Sequence, residues 1–317
     1  MLDYSSSHLL DFSEYPDWLH ALKEGKNEYV LQNYLRENKH LTHLSFFSSQ
    51  LSDADLRIIL TIVQKCPHIQ SLDLANNCFT KEGLLFLAQR LPKMKLKELD
   101  ISGNYTVGLD AIHALTRAVK SSDLEILKMN RISLHGGCDS IFSDLKESKV
   151  SQLEINTAEL NPLDAQDIAT HLVQYEHLQS LDLSSNALGN EGVTIITREA
   201  SKLNLRHLDI SYNQHTSGVL ATLGKQLRDT TLTTVRYDGI PLPATPFAIV
   251  HSAVLFNQQY NQTGQLALAA LDGEQLKLQE NEFGQELPPE MAETVGEHAT
   301  QSNTQKRAFM QGWSAKR

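Results

Sequence analysis

A repeat of 26 to 28 residues constrains the fold of this chain more than any other sequence feature. Eight copies of a short hook align on their first apolar residue, with successive spacings of 28, 27, 28, 26, 28, 27 and 27 residues. The eight first residues are Leu41, Ile69, Leu96, Leu124, Val150, Leu178, Leu205 and Leu232. We number positions within each copy from that residue, so that +3 is the third residue after it. Such regularity is the signature of a stacked repeat architecture.

Each copy contains a strand pattern followed by a helix pattern. Apolar residues stand at +3 and +5, as in "LQSLDLSSNALGNEG" at 178–192, and this alternation predicts a short strand with one buried face. The segments 52–65 and 80–91 place apolar residues three and four apart, and Ser52 and Thr80 stand at the expected helix N-caps. Because one such unit cannot bury its apolar face alone, the sequence predicts an α/β solenoid of stacked units.

An asparagine recurs at position +8 in half of the copies. The four are Asn77, Asn104, Asn186 and Asn213. A chain that leaves a strand tightly exposes backbone polar groups inside the solenoid, and stacked amides can pair with them from one copy to the next. The other copies have Ser49, Ile132, Ala158 and Ile240 at this position. We expect apolar packing to compensate in the two central copies; the alternative is a bend or a looser arc there.

The hooks, together with "TKEGLLFLAQRL" (80–91) and "GNEGVTIITREA" (189–200), resemble the long leucine-rich repeats of the ribonuclease-inhibitor type. The resemblance covers about residues 41–240. It implies a horseshoe of about eight repeats, with a parallel sheet on the concave face and helices on the convex face. It also implies a role in binding other proteins, including inhibition or modulation of a partner enzyme whose active site is covered. Short arrays of this kind are also similar to those of bacterial effector proteins delivered into host cells.

The flanks of the array predict two caps and a tail. Residues 1–40 lack the hook and are typical of two helices, or one helix broken at Gly25, that would cover the open end of the core. Residues 241–275 begin "PLPATP" and continue with a pattern that predicts a helical C-terminal cap. Residues 276–317 are rich in Glu, Gln and Thr, which predicts a flexible acidic and polar tail. Its spaced glutamates are similar to the acidic C-terminal signals of type IV secreted effectors.

Composition argues against a nucleic-acid or membrane partner. Twenty-eight Lys and Arg against 38 Asp and Glu give a net charge of −10, which disfavours broad binding to polyanions. The chain has no apolar run long enough for a membrane span, and its first 18 residues lack the pattern of a Sec signal peptide. Three scattered cysteines fit a reducing compartment. We therefore expect a monomer in the cytoplasm, either of its own cell or of a host cell reached without a Sec signal.

Position +4 supplies most of the candidate partner-binding residues on the concave face. This +4 column consists of Ser45, Asp73, Asp100, Lys128, Glu154, Asp182, Asp209 and Arg236. Five acids in eight copies predict a partner surface that carries Lys or Arg, and binding that weakens with salt. Aspartate between two leucines is common in repeats of this type, so part of the acidic pattern is generic.

The fourth copy departs from the others at its outward positions. These residues are Ile126, Lys128, Asn130 and Arg131. An apolar side chain beside a guanidinium is typical of interaction hot spots. Phe47 near one end and Tyr212 towards the other add aromatic side chains to the predicted binding surface. The alternatives are packing of Phe47 against the N-terminal cap and simple surface tolerance for Ile126.

The sequence gives little support to catalysis. The best nucleophile candidate is Cys138 in "LHGGCDS" (134–140), where a helix N-terminus would lower the thiol pKa, with His135 three residues earlier. A Cys–His dyad needs a rigid scaffold, whereas this stretch is typical of a turn between repeats. The histidine pairs lack the Cys or carboxylate neighbours of a metal site, and no phosphate-binding glycine loop is present. We expect a non-catalytic protein without metal or cofactor.

A GTPase activator of the leucine-rich repeat type is the alternative function. In that case Arg131 or Arg236 would contact the nucleotide site of a small GTPase. Only the fold resemblance favours this alternative, because no local motif supports it.

Overall fold

One parallel sheet runs through the part of the chain that the structure describes. The computed structural model describes residues 8–24, 28–216, 219–227 and 230–237. In these ranges nine strands follow one another in the sheet in chain order. They are β1 (Leu9–Asp11), β2 (His43–Ser45), β3 (Ser71–Asp73), β4 (Glu98–Asp100), β5 (Ile126–Lys128), β6 (Gln152–Glu154), β7 (Ser180–Asp182), β8 (His207–Asp209) and β9 (Thr234–Arg236). The predicted C-terminal cap (241–275), the predicted tail (276–317), Gly25 and Ile240 lie outside the described residues.

Helices alternate with the strands and pack beside one another along the array. They are α1 (Pro16–Lys23), α2 (Glu28–Glu37), α3 (Asp53–Gln64), α4 (Lys81–Arg90), α5 (Leu109–Lys120), α6 (Cys138–Leu145), α7 (Pro162–Leu172), α8 (Gly189–Ala200) and α9 (Leu220–Leu227). Each helix from α3 to α8 contacts the next one in sequence. The α/β solenoid with a parallel sheet on one side and helices on the other is therefore confirmed.

The register of the sheet places equivalent repeat positions opposite one another. Leu44 at position +3 lies opposite Leu72, and the same pairing of +3 residues continues to Val235 in β9. The +3 and +5 side chains are buried and join the inner faces of the helices in one continuous apolar core. Because side chains alternate along a strand, the +2 and +4 residues must project from the opposite side of the sheet.

The predicted helix caps are present. Ser52 accepts a hydrogen bond from the backbone N–H of Asp55, while the Asp55 carboxylate accepts one from the Ser52 N–H, which is a complete capping box for α3. Thr80 caps α4 through the N–H of Glu82. These bonds satisfy donors that a helix N-terminus otherwise leaves unpaired.

The first 40 residues contain a strand that the sequence analysis did not predict. Strand β1 pairs with β2, and Leu10 lies opposite Leu44. The Phe12 ring stacks on Phe46 with the ring centroids 4.3 Å apart, so Leu10 and Phe12 repeat the buried pattern of positions +3 and +5. Helices α1 and α2 both follow β1 before β2 begins, which lengthens this unit beyond the 26-to-28-residue period and conceals it in the sequence. The array thus has one strand more than the eight predicted copies.

The asparagines at +8 pair with backbone groups of two adjacent copies, as predicted. The Asn186 Nδ2 donates to the carbonyls of Leu183 at 3.0 Å and, in the preceding copy, of Ile155 at 3.1 Å. Its Oδ1 accepts from the N–H groups of Ala158 at 2.8 Å and Leu160 at 3.1 Å. The carbonyl contacts recur at the other three asparagines, each joining its own copy to the one before.

The two central copies without this asparagine keep an unbroken sheet. Ile132 and Ala158 are buried in the core at the +8 position. A second series of bonds also runs through them, because the +7 N–H of each copy donates to the +6 carbonyl of the next. Gly103 donates to Asn130 at 2.8 Å and Arg131 donates to Asn156 at 2.9 Å. Apolar packing and this backbone series therefore continue the array where the asparagine is missing.

Replacing Asn186 with alanine is expected to lower the free energy of unfolding by about 1–3 kcal/mol, because it leaves buried backbone groups unpaired. Chemical denaturation would measure the loss. Asn156→Ala is the control, since Asn156 is only half-buried and its Nδ2 donates to the Asp182 carboxylate at 3.3 Å rather than to buried backbone groups; a change of about 0.5 kcal/mol is expected for it. Equal effects of the two substitutions would contradict the role given to the +8 amide.

Candidate protein-binding face

The concave face consists of the side chains at +2 and +4 of the nine strands, on the side of the sheet away from the helices. Pairing in register brings the +4 column into one line across the sheet, from Ser45 in β2 to Arg236 in β9. Asp11 in β1 lies opposite Ser45 and extends the column by one strand. Asp11 was not predicted from the sequence because the unit that carries it does not follow the repeat period.

The aspartates of the +4 column have a structural role as well as an exposed charge. Four of them use Oδ1 to accept the backbone N–H two residues later, at 2.8–3.0 Å. The four are Asp73, Asp100, Asp182 and Asp209. A short carboxylate side chain is suited to this local turn, which explains why aspartate recurs there. The second carboxylate oxygen is left for contacts along the column, as in the 3.1 Å bond that the Ser45 hydroxyl donates to Asp73 Oδ2.

Two neighbouring carboxylates in the first half of the column are partly desolvated. Burial raises the pKa of Asp73, although hydrogen bonds from Ala75 and Ser45 oppose the shift, and the charge of Asp11 adds to it. Burial also raises the pKa of Asp100, and the adjacent charge of Asp73 contributes in the same direction. The ionised forms of these side chains are therefore destabilised in the free protein. A cation placed beside them would relieve this cost.

Lys128 interrupts the acidic column but is itself bound to an acid. Its Nζ lies 2.9 Å from Glu98 Oε1, and both side chains are about three-quarters buried at 25% exposure. Burial opposes the charge of Lys128, but the hydrogen bond and charge of Glu98 outweigh it and raise the lysine pKa. Asn130 donates to Glu154 Oε2 at 3.1 Å. Lys128 and Asn130 therefore pair with two different acids, Glu98 and Glu154. Glu98 is a +2 residue that was not predicted from the sequence.

The predicted hot-spot residues of the fourth copy lie at two different places. Ile126 is half-buried in β5, on the concave face, between Glu98 in β4 and Gln152 in β6. Arg131 is exposed in the turn after the strand, at position +7, with a φ angle of 57°. Arg131 therefore lies on the rim that these turns form, whereas Ile126 lies within the concave face.

The left-handed conformation of Arg131 is a property of the repeat. Seven copies have a positive φ angle at +7, between 52° and 69°. The residues are Ser48, Asn76, Gly103, Arg131, Thr157, Ser185 and Tyr212. This conformation is unfavourable for a side chain with a Cβ atom, and most unfavourable for a β-branched one. The turn fixes the backbone of Arg131 and Tyr212 and directs both side chains to the rim, where Tyr212 is 61% exposed.

Aromatic side chains mark the same rim at other copies. Phe47 is 47% exposed at position +6 of the first copy, so it does not pack fully against the N-terminal residues. Tyr105, at position +9 of the third copy, is 72% exposed and was not predicted from the sequence. The two aromatics belong to copies that are two apart along the array.

The last third of the concave face contains a depression that collects four of the predicted residues. Its lining consists of Glu154, Ser180, Leu181, Asp182, His207, Leu208, Asp209, Thr234 and Arg236. The Arg236 Nη1 lies 3.8 Å from Asp209 Oδ2, and the arginine side chain is largely exposed. Three carboxylates and one guanidinium thus face a common space, whereas Phe47 and Ile126 lie elsewhere.

The Cys138 thiol is not arranged as a nucleophile. Cys138 begins α6 but is fully buried, and burial raises its pKa well above the usual range. Its Sγ lies 3.8 Å from the carbonyl of Leu134. The His135 Nδ1 lies 2.8 Å from Asp164 Oδ2, and Asp164 belongs to the capping box of α7. The dyad considered in the sequence analysis is therefore not formed.

The described ranges offer neither a cluster of metal-binding side chains nor a membrane-spanning helix. These ranges contain no group of three or more His, Cys, Asp or Glu side chains placed to hold a metal ion. No helix in the same part of the chain is long and apolar enough to cross a bilayer.

Comparisons with known proteins identify the repeat. The family model described as "Leucine Rich repeat" matches residues 65–88 and 176–194. The chain is 27% identical over 181 residues to the NACHT, LRR and PYD domains-containing protein 5 of Mus musculus, covering 55% of this chain and 16% of that protein. It is 25% identical over 180 residues to the ribonuclease inhibitor of Mus musculus, covering 55% of this chain and 40% of that protein. The chain thus spans less than half the length of these relatives.

Solved structures with a similar arrangement include the actin-binding site 2 of leiomodin-1. That match has a TM-score of 0.40 and 18% identity, and covers 64% of this chain and 97% of the other. An internalin C2 from Listeria monocytogenes matches with a TM-score of 0.38 and 19% identity, covering 65% of this chain and 84% of the other.

The sequence matches and the register of the strands confirm the predicted leucine-rich repeat solenoid of the ribonuclease-inhibitor type. Solenoids of this kind form extended concave binding surfaces. The chain thus has the architecture of a protein-binding module.

Relief of the left-handed turn is expected to stabilise the protein. Thr157 is β-branched and has a φ angle of 53°, so Thr157→Gly should raise the free energy of unfolding by up to about 1 kcal/mol. Thr234→Gly, in extended strand β9, is the control and should lower it by about 0.5–1 kcal/mol. Chemical denaturation of the two variants measures both changes. A lower free energy of unfolding for both variants would contradict backbone strain at Thr157.

The raised pKa of Asp100 predicts a pH-dependent effect of Asp100→Asn. Asn keeps the acceptor oxygen for the Ser102 N–H but does not titrate. The folded pKa of Asp100 lies above the unfolded value near 3.8. Between these two pKa values the folded state binds more protons than the unfolded state, so the wild-type protein loses stability as pH rises through this range. The variant should therefore gain stability relative to wild type as pH rises above 3.8.

Asp110→Asn is the control for that experiment, with the opposite sign. Lys81 lowers the pKa of Asp110, so its ionisation stabilises the folded state above the unfolded pKa. This variant should lose stability relative to wild type as pH rises. Melting temperatures between acidic and neutral pH measure both trends, and parallel trends would refute the assignment for Asp100.

Proposed function

We propose that this chain is a non-catalytic protein that binds a partner protein through its concave face, and that it inhibits or modulates a partner enzyme by covering the active site. The alignment of the +4 column carries this proposal. It arranges the carboxylates of neighbouring strands in one line at the strand spacing of about 4.8 Å. A partner that presents Lys or Arg side chains to this line would meet several acids at once.

The charge balance of the concave face supports a basic partner surface. Its carboxylates in the described strands are Asp11, Asp73, Glu98, Asp100, Glu154, Asp182 and Asp209. Its Lys and Arg side chains in the same strands are Lys128 and Arg236, and each lies within 4 Å of a carboxylate of the face. Seven acids and two bases leave an excess of five negative charges. Such a field favours encounter with a basic surface and is screened by salt.

Apolar and aromatic groups next to this charge would contribute the short-range part of the interaction. Ile126 lies within the face, and Phe47, Arg131 and Tyr212 project from the adjoining rim. Interfaces derive much of their affinity from a few such side chains, whereas peripheral charges mainly affect the association rate. We infer that contact at Ile126 and attraction by the column act together on one partner.

The name of one relative favours inhibition as the form of modulation. The mouse ribonuclease inhibitor is, by its name, an inhibitor of an enzyme, and it matches this chain over 55% of the chain's length. By analogy, a partner enzyme would be held across the concave face with its active site covered.

We also propose delivery into a host cell, which rests on sequence alone. Glu286, Glu290, Glu293 and Glu297 precede a short polar stretch in residues 276–317, outside the described residues. A translocation reporter fused to the full chain should enter host cells only from a donor with an intact type IV system. Entry from a donor lacking that system, or no entry from either, would reject this part of the proposal.

The binding proposal is tested with variants that remove charge from the column but keep the fold. Asp182→Asn with Asp209→Asn retains the Oδ1 acceptors of the two turns. We expect this pair to weaken partner binding roughly tenfold, equivalent to about 1.4 kcal/mol. The control is Asp110→Asn with Glu147→Gln, which removes the same charge from the helix side, where these acids pair with Lys81 and Lys120.

The partner is first captured by crosslinking the tagged full chain in lysates of its own cell and of a eukaryotic cell, and identified by mass spectrometry. Titration with the purified partner then compares the affinity of the column pair with that of the control pair. The same titration compares two single variants, Ile126→Ser and its control Leu163→Ser. Leu163 is exposed at the start of α7, so its substitution changes apolar surface away from the concave face. Equal affinities for the column and control variants, or affinity independent of salt, would place the binding surface elsewhere.

A further inference from the structure

We propose that residues 306–317 of this same chain occupy the acidic concave face and compete there with the partner protein. The inference rests on the proposed function, because the segment would regulate the face assigned to the partner. Its chemistry is that of the basic surface expected of the partner, and it is joined to the array by the chain itself.

The segment has the charge that the concave face lacks. Its sequence, "KRAFMQGWSAKR", contains four basic residues and no acid. The basic residues form two pairs, Lys306 with Arg307 and Lys316 with Arg317. The chain as a whole has a net charge of −10, so this segment is a basic exception in an acidic protein. Opposite charges at this density attract one another at moderate ionic strength.

The spacing of the two basic pairs suits the acidic column. Beyond Asp11 in β1, Lys128 in β5 divides the column into the adjacent pair Asp73 and Asp100 on one side, and Glu154, Asp182 and Asp209 on the other. The centres of these two groups are three and a half strands apart, or about 17 Å at the usual strand spacing. The two basic pairs are ten positions apart in the chain, with eight residues between them, and ten positions of extended chain span up to about 33 Å. One pair can therefore reach each acidic group.

The connection between the array and the segment is long enough. Strand β9 is the last described strand, and it lies directly beside β8, which carries Asp209. Sixty-eight residues, 238–305, join the described array to the segment. Even at the 1.5 Å per residue of a helix they would cover about 100 Å, whereas nine strands span about 38 Å. A tethered segment also meets the face at a high effective concentration without forming any additional contact.

The partly desolvated carboxylates of the concave face favour binding of a cation. Asp73 and Asp100 are partly buried beside one another, and the one lysine of the described strands lies in a bond to Glu98. A basic side chain above them would stabilise both ionised forms. The segment would thus bind when no partner is present, and a partner would have to displace it.

The two tryptophans of the chain allow a direct test. One is Trp18 and the other is Trp313, inside the basic segment. Trp18 lies near Tyr34, with the ring centroids 6.1 Å apart, so Trp18→Phe keeps an aromatic ring there and leaves Trp313 as the sole tryptophan. Acrylamide quenching of this full-length variant at low salt should be several-fold weaker than quenching of the synthetic peptide 306–317. The protection should disappear at high salt.

Substitutions locate the protected segment. Asp73→Asn with Asp100→Asn, and separately Asp182→Asn with Asp209→Asn, should each increase the quenching of Trp313 at low salt. Asp110→Asn with Glu147→Gln should leave it unchanged. Lys316→Glu with Arg317→Glu should expose Trp313 while the far-UV circular dichroism of the folded chain stays unchanged. Once a partner is known, the same tail variant should bind it several-fold more tightly than the parent chain.

Three results would overturn the inference. The first is quenching of Trp313 as strong as in the free peptide. The second is protection that the column variants do not change, which would place the segment against other acids. Protection that increases with protein concentration would assign the segment to a second copy of the chain. These results are independent of the partner experiment. If Trp313 is exposed but partner binding still depends on the column carboxylates, this inference is wrong and the proposed function remains in place.

Discussion

The backbone polar groups where each strand ends are the constraint on which the rest of this structure depends. In every repeat the chain turns sharply out of a three-residue strand while still inside the solenoid, so its N–H and C=O groups need partners other than water. Three devices supply them: the +8 amide, exemplified by Asn186, the +4 carboxylate, exemplified by Asp182, and the backbone bond from +7 to the next copy. The helices and the apolar core can stack only because these turns repeat with the same geometry.

The same constraint shapes the surface that we assign to binding. An aspartate that accepts a turn N–H is held in position by one carboxylate oxygen and offers the other to the concave face. Stacking in register then converts a local turn requirement into a line of charge across the sheet. The scaffold and the recognition surface are therefore built from the same side chains. This is why Asn is a better probe of the column than Ala, since it removes the charge but keeps the turn.

Most of the fold follows from the sequence because the repeat period, the +3 and +5 apolar pattern and the +8 asparagine are all local and periodic. Strand β1 escaped prediction because two helices follow it instead of one. The left-handed turn at +7 was not predicted because only two copies carry a residue typical of it, Asn76 and Gly103, whereas Arg131, Thr157 and Tyr212 occupy it in others. The column was predictable from spacing alone, whereas the bond between Lys128 and Glu98 joins residues from different copies and required the register of the sheet.

The regular spacing of the strands also determines which peptide conformation can place its side chains opposite successive carboxylates of the concave face. Successive column residues are about 4.8 Å apart, whereas side chains on one side of an extended peptide recur about every 6.6 Å, two residues at a time. An α-helix advances 5.4 Å per turn, much closer to the interval of the strands. A helix laid across the sheet would stay in phase with several carboxylates in succession, while an extended strand would fall out of phase after about two. Long, jointed side chains such as Lys and Arg would absorb the remaining mismatch, and shorter cationic groups would not.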